Sequence, residues 1–350
     1  MGLRGRAWMA AASLVATVGT MGAAGAGVPV EGAEGAARAG VSAVAGKVPT
    51  VFLGDASVGS YGIAPVDGGA LLCVRAAENL PDVIEDQLAD QAILLDITAD
   101  VSCAGARLNH VWEGQDLGGG LTAAPQKRAL TKDTRLVVVG LGAETVGIGR
   151  VLKQCSVRLR GTEGALLPDA PVDANSPAGE CAAYFTKGAG AAWLEARFEE
   201  TGKDLDKLFS EIDSESPSAD VVLMGYPRLV PKDRKRCRTE LPGGAGRPLG
   251  DVPEAAWPVL DDKVQVRLNT LTAAKAKRHG ARFVDLYATT GAATACDGTD
   301  RAVGGLLEPS GVTLHHQTFP WFLRANETGR DGNGDTVAQS IAAMCGRGPA

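Results

Sequence analysis

The residues best arranged for chemistry fall in one turn, Gly54-Asp55-Ala56-Ser57-Val58-Gly59-Ser60-Tyr61-Gly62, directly after the apolar run Thr50–Leu53. A strand that runs into a glycine-rich turn has two mechanical uses: cradling a phosphate on backbone amides, or presenting a nucleophile. The dinucleotide fingerprint G-x-G-x-x-G is absent from this turn, and so is a Walker lysine. What remains is nucleophilic chemistry, in which a serine attacks, a histidine takes its proton, and amide donors stabilise the oxyanion. Of the four histidines, His110 and His279 read as surface residues, whereas His315 and His316 stand together far down the chain. No C-x-x-C or Cys/His cluster has the spacing to hold zinc, so no metal is expected. Nothing in the sequence calls for a cofactor.

Composition narrows what such a turn belongs to. The chain has 350 residues, 45% hydrophobic and 22% charged, with a formal net charge of −6. A general nucleic-acid binder needs a basic face to neutralise phosphates, so that class is excluded. The one basic run, Lys232, Arg234, Lys235, Arg236 and Arg238, reads as a solvated loop around Cys237. At the N-terminus, Arg4 and Arg6 precede an apolar stretch from Ala7 to about Val18, and small residues near Ala24 to Ala26 supply a cleavage site. Residues 1–26 therefore read as an export signal, and the mature protein as secreted. That stretch is too short for a comfortable membrane span, and no run of about 20 apolar residues occurs elsewhere. Residues 27–47, rich in Ala, Gly and Val, read as a spacer. Export also suits the seven cysteines. Pairing neighbours along the chain, Cys73 with Cys103, Cys155 with Cys181 and Cys237 with Cys296, is the simplest of many connectivities. Cys345 is left over, which leaves a disulfide-linked dimer open.

The elements that must position the turn alternate in type. Apolar runs without polar alternation occur at Thr50–Leu53, Leu94–Val101, Leu136–Leu141, Val221–Met224 and Arg282–Leu286. Such runs suit strands buried on both faces of a parallel sheet. Helical spacing links Leu194, Phe198, Leu205, Leu208 and Ile212 between residues 192 and 212, and Trp257, Leu260, Val264, Leu268 and Leu271 between 254 and 279. Asp335 to Met344 reads as a closing helix. The alternation predicts a three-layer α/β/α sandwich around a five-stranded parallel sheet, a single domain over residues 48–345. Ligands in such sheets gather outside the carboxyl ends of the strands, where the informative loops lie.

Those loops carry a resemblance. Gly54-Asp55 at the end of the first strand is similar to the block in which SGNH/GDSL-type serine esterases and lipases present their nucleophile. Cys73-Val74-Arg75-Ala76-Ala77-Glu78-Asn79-Leu80-Pro81 resembles the Cys-x-Arg-Ser-x-x-Asn-Tyr-Pro stretch of that family's secreted actinomycete branch. Asp100 to Ala106 resembles the second block, with Gly105 as an oxyanion donor. Residues 125–147 follow the third-block region, and Gly225-Tyr226-Pro227 and Phe283-Val284-Asp285 match two later strand ends. The similarity covers about residues 48 to 345, and the three cysteine pairs fall where the family places disulfides.

At the reacting positions the resemblance breaks. Ala56 stands where the family has its serine, and a methyl group attacks nothing. Glu144, in Gly142-Ala143-Glu144-Thr145-Val146-Gly147, stands where the family has an oxyanion asparagine, and an ionised carboxylate only accepts hydrogen bonds. Arg324, in Arg324-Ala325-Asn326-Glu327-Thr328-Gly329, stands where the family has its histidine, and a guanidinium cannot accept a proton. A second register ending at Gly334 puts Gly329 there instead. Trp321 stands where some members orient the histidine through a backbone carbonyl. Facing each other, Glu144 and Arg324 would form an ion pair across the old active site.

Two functions follow. The first is a secreted, non-catalytic protein that binds a small ester, a lipid or a protein partner through the old cleft. The second is an esterase that recruits Ser57 or Ser60 with His315 or His316. Ser57 and Ser60 read as turn residues aimed away from the site, and the three replacements together favour the first.

Overall fold

A computed structural model describes residues 46–160, 180–314 and 316–346. The expected export signal, most of the spacer and His315 lie outside the described residues. Five strands form one all-parallel sheet in the order β2-β1-β5-β6-β7. They are β1 (Val48–Gly54), β2 (Leu95–Asp100), β5 (Leu136–Gly140), β6 (Asp220–Met224) and β7 (Arg282–Val284). Two hairpins stand apart, β3 (Gln115–Gly118) with β4 (Leu121–Ala123), and β8 (Pro309–Leu314) with β9 (Gln317–Pro320).

The central strands are apolar throughout because successive side chains enter two different cores. Val51, Leu53, Val137, Val139, Val221 and Leu223 pack against Leu205, Leu208, Phe209 and Ile212 of α6 (Ala189–Glu215), joined by Ala276 of α7 (Val266–Arg278). The alternate residues Phe52, Leu136, Val138 and Val222 pack against Leu80, Ile84 and Leu88 of α1 (Leu80–Ala89), and Val337, Ala338 and Ile341 of α9 (Glu327–Met344). Helices on both faces make the expected three-layer sandwich. β2 departs from the expectation of two buried faces. It is an edge strand paired only with β1, and Asp96 and Thr98 are exposed.

A third core lies to one side of the sheet. It gathers α2 (Ala143–Val146), α3 (Ile148–Cys155), α4 (Val157–Arg160) and α5 (Glu180–Lys187) with the loop that follows β6. The helix expected over residues 254–279 is instead composite. A short turn at Glu254–Ala256 leads into a π-helical turn, Val259–Gln265, before α7 begins. Asp261 and Gln265 of the wide turn are buried. Asp261 accepts hydrogen bonds from Arg228 (2.8 Å) and the Tyr287 hydroxyl (2.7 Å). Gln265 accepts from the Leu229 amide at 2.9 Å and donates to the Pro227 carbonyl at 2.7 Å. The wide turn thus fixes the strand-end loop that carries Tyr226.

α9 also begins a full two turns before Asp335. Asn326 caps it, its side chain accepting from the Gly329 amide at 2.9 Å. Gly329, Gly332 and Gly334 lower helical propensity, which is why the sequence pattern starts late. Packing overrides them: a Cβ on Gly329 would lie 1.9 Å from the Ala302 carbonyl oxygen, and one on Gly334 would lie 2.5 Å from Val83. All three neighbour disulfides are formed, Cys73–Cys103, Cys155–Cys181 and Cys237–Cys296. Cys345 caps the end of α9 outside them. The basic run is a 3-10 turn (Arg234–Arg238) around buried Cys237, with Arg234 paired to Asp262, Arg236 to Asp297 and Arg238 to Glu254.

Candidate functional site

The glycine-rich turn leaves β1 at the carboxyl end of the sheet and folds back over β5. Val58 makes this possible by lying against the strand ends: a Cβ on Gly54 or Gly140 would sit 2.4 or 2.6 Å from its side chain. Buried Gln126 clamps the exit, accepting from the Gly54 amide at 3.0 Å and donating to the Gly54 carbonyl at 2.9 Å. The Asp55 amide then donates to the Gly140 carbonyl at 3.0 Å.

Asp55 is fully buried and organises what surrounds it. Its Oδ1 accepts from the Ser57 amide at 2.8 Å and the Ser57 hydroxyl at 2.7 Å. Its Oδ2 accepts from the Tyr226 hydroxyl at 2.7 Å, and Tyr226 in turn accepts from the Ala143 amide at 3.1 Å. One carboxylate therefore ties together the ends of β1, β5 and β6. Burial raises its pKa, and the nearby Arg324 charge and these hydrogen bonds only partly oppose the rise. Burial, then the Asp55 charge, pushes the Tyr226 hydroxyl well above the ordinary phenol range, so it stays a donor.

The loop after β2 forms the opposite lip. The Cys73–Cys103 disulfide braces it, the Ala104 amide donates to the Cys73 carbonyl at 3.0 Å, and Gln115 donates to the Ala104 carbonyl at 2.8 Å. Gly105 takes a left-handed φ of 77° at the tip, and its amide has no backbone acceptor among the described residues. Glu144 lies in the first turn of α2.

Arg324 closes the site from the far end of the chain. It leaves a tight turn in which Phe322 and Leu323 both adopt left-handed backbone, with φ of 50° and 59°. Such geometry costs about 1–3 kcal/mol per non-glycine residue and persists only where packing enforces it. Trp321 supplies that packing behind the cleft, pressed against Gly62 and Gly304. Its carbonyl accepts the Arg324 backbone amide at 3.0 Å. The guanidinium donates to Glu144 at 2.5 Å, with 18% and 21% of the two side chains exposed. Burial disfavours the Arg324 charge, but Glu144, Asp55 and Tyr226 outweigh it and hold its pKa above the ordinary arginine value.

Ala56, Gly105, Glu144 and Arg324 thus line a single cleft of about 560 Å3. Ser57 is among the lining residues as well, with its hydroxyl turned back onto Asp55. Ser60 is buried below, in left-handed backbone. His316 sits exposed at the tip of the β8–β9 hairpin. His110 accepts the Arg107 amide, and His279 contacts Asp206 while stacking on Phe209. No histidine among the described residues lines the cleft.

Sequence reasoning assigned no role to Asp55 or Tyr226, although both lie in quoted motifs, Gly-Asp and Gly-Tyr-Pro. It passed over Arg107, Arg150 and Lys153, which also line the cleft and belong to no motif. Chemically, the cleft offers a methyl, a serine hydroxyl committed to a carboxylate, a neutralised guanidinium–carboxylate pair and a largely apolar interior.

No protein-family model matches this chain. A curated esterase from Streptomyces scabiei is 46% identical over 310 residues, covering 87% of this chain and 89% of the relative. Lipase 2 of Streptomyces coelicolor is 26% identical over 249 residues, covering 71% and 72%. Among solved structures, phospholipase A1 from Streptomyces albidoflavus superposes with a TM-score of 0.55 at 18% identity, over 84% of this chain and 98% of that one. The extracellular lipase of Streptomyces rimosus gives the same TM-score of 0.55 at 20% identity, over 85% and 99%.

Proposed function

This chain belongs to the SGNH/GDSL family of esterases and lipases, and from that premise we propose that it no longer hydrolyses esters and instead binds a ligand in the inherited cleft. The observation that carries this reading is the 2.5 Å ion pair between Arg324 and Glu144, in the cleft that Ala56 lines. Acyl transfer requires a nucleophile, a proton acceptor and oxyanion donors at those three places. A methyl cannot attack, and a guanidinium holding a carboxylate cannot accept a proton. Losing a single oxyanion donor costs about 100- to 1000-fold in rate, and a carboxylate adds repulsion. The disulfides fit an oxidising compartment, so residues 1–26 act as an export signal, 27–47 as a spacer and 48–345 as the secreted domain. No described helix is long and apolar enough to cross a membrane.

A second reading keeps one observation in its favour: Ser57 lines the cleft. In that reading Ser57 attacks, with His315 or His316 as its base. Fluorophosphonate labelling and short-chain aryl ester turnover decide between the two. The native protein is expected to show neither. Ala56→Ser alone stays unlabelled for want of a base, whereas the Ala56→Ser, Glu144→Asn, Arg324→His triple variant gains labelling. Labelling of the native protein that Ser57→Ala abolishes overturns the non-hydrolysing reading.

A further inference from the structure

The cleft carries more positive charge than the ion pair needs. Arg107, on the loop after Gly105, and Arg150 and Lys153, on α3, line the same cavity as Arg324. None of the three side chains makes an ion pair among the described residues, although exposed arginines elsewhere find carboxylates, as Arg267 does with Glu195 and Arg238 with Glu254. Burial and the charges of Arg150 and Arg197 lower the Arg107 pKa, while Glu144 and Glu200 oppose them. Arg150 is thus close enough to Arg107 to disfavour its charge. Glu144 is the one acidic side chain lining the cleft among the described residues, and Arg324 already holds it. Arg324 itself makes no other side-chain hydrogen bond to the described protein, which leaves guanidinium N–H groups for a ligand. The same lining includes the buried Leu152, Leu159, Leu229, Leu268 and Leu306, together with Phe322. At about 560 Å3 the cavity falls within the ~300–1,000 Å3 range of small-molecule sites.

We propose that the cleft binds a single-chain amphiphile with an anionic head, a carboxylate or phosphate monoester, seated between Arg107, Arg150, Lys153 and Arg324 with its chain among the leucines. This rests on the non-hydrolysing reading above and names the class of ligand for the same site. An anion offsets the repulsion at Arg107, and charge-assisted hydrogen bonds are the strong ones. A neutral or cationic head gains neither.

The test is calorimetric titration of the full mature protein with dodecanoate, dodecyl phosphate, dodecanol and dodecyltrimethylammonium, each below its micellar concentration. Both anions are expected to bind about 10- to 100-fold more tightly than dodecanol, and their ratio tells carboxylate from phosphate. Added salt weakens the anions and leaves dodecanol unchanged. Arg107→Gln with Arg150→Gln is expected to weaken dodecanoate by about tenfold or more and leave dodecanol binding as it was. Dodecanol retention also shows that the variant is folded, and Lys153→Gln supplies an independent second variant. Equal affinity for dodecanol and dodecanoate, preference for the cationic amphiphile, absence of binding, or unchanged dodecanoate affinity in the variants overturns the proposal. Fluorophosphonate labelling of the same preparation separates the two claims: a labelled protein that prefers anions sinks only the non-hydrolysing reading.

Discussion

Glu144 and Arg324 lie 180 residues apart in the chain and meet at 2.5 Å. Removing one partner of a buried pair costs about 3–5 kcal/mol because a lone charge stays behind. Here both side chains keep about a fifth of their surface in water, so Glu144→Gln is expected to lower unfolding free energy by about 1–3 kcal/mol. Adding Arg324→Gln recovers most of that loss, because no unpaired charge then remains; urea denaturation of the four proteins of the cycle reads the coupling. Asp55 gives a pH signature. Its folded pKa is raised by burial, whereas an unfolded aspartate titrates near about 3.9. The folded state then holds the proton more tightly, so this residue's contribution to stability is complete below about 3.9 and is lost as pH rises through the folded pKa. The stability of the native protein relative to Asp55→Asn, whose amide does not titrate, should therefore fall as pH climbs from about 4, as followed by denaturant midpoints.

Among the elements, α9 makes the sharpest contrast. Its three glycines look alike in sequence, yet a Cβ on Gly329 meets the Ala302 carbonyl oxygen at 1.9 Å while one on Gly332 meets nothing within 4 Å. Gly332→Ala should raise stability by about 0.5–1 kcal/mol through helix propensity. Gly329→Ala should lower it by several-fold more than that gain, because the helix must move off its neighbour; paired thermal melts test the opposite signs. The Cys73–Cys103 bridge joins the glycine-rich turn's neighbourhood to the Gly105 lip across 30 residues. Replacing both cysteines by alanine should cost about 3–4 kcal/mol from loop-closure entropy. Amide exchange should also speed up at Gly105.

At the scale of the whole molecule, the sheet was legible because each central strand is a continuous apolar run, and burial on both faces demands that. Neighbour pairing of the cysteines held in all three bridges, at sequence separations of 30, 26 and 59. The chemistry on offer at 56, 144 and 324 was legible as residue types, since a methyl, a carboxylate and a guanidinium differ wherever they lie. Other features were not legible. The commitment of the Ser57 hydroxyl to Asp55 depends on how the turn folds, the late-looking start of α9 depends on contacts to Ala302 and Val83, and the cations at 107, 150 and 153, without an ion pair among the described residues, come from a loop and a helix with no shared motif. Strand order along the chain and the chemistry available at each position are written locally, in the period and type of neighbouring residues. Which charges meet is decided only when loops from the ends of separate strands pack over the sheet, because a contact across 180 residues has no local signature.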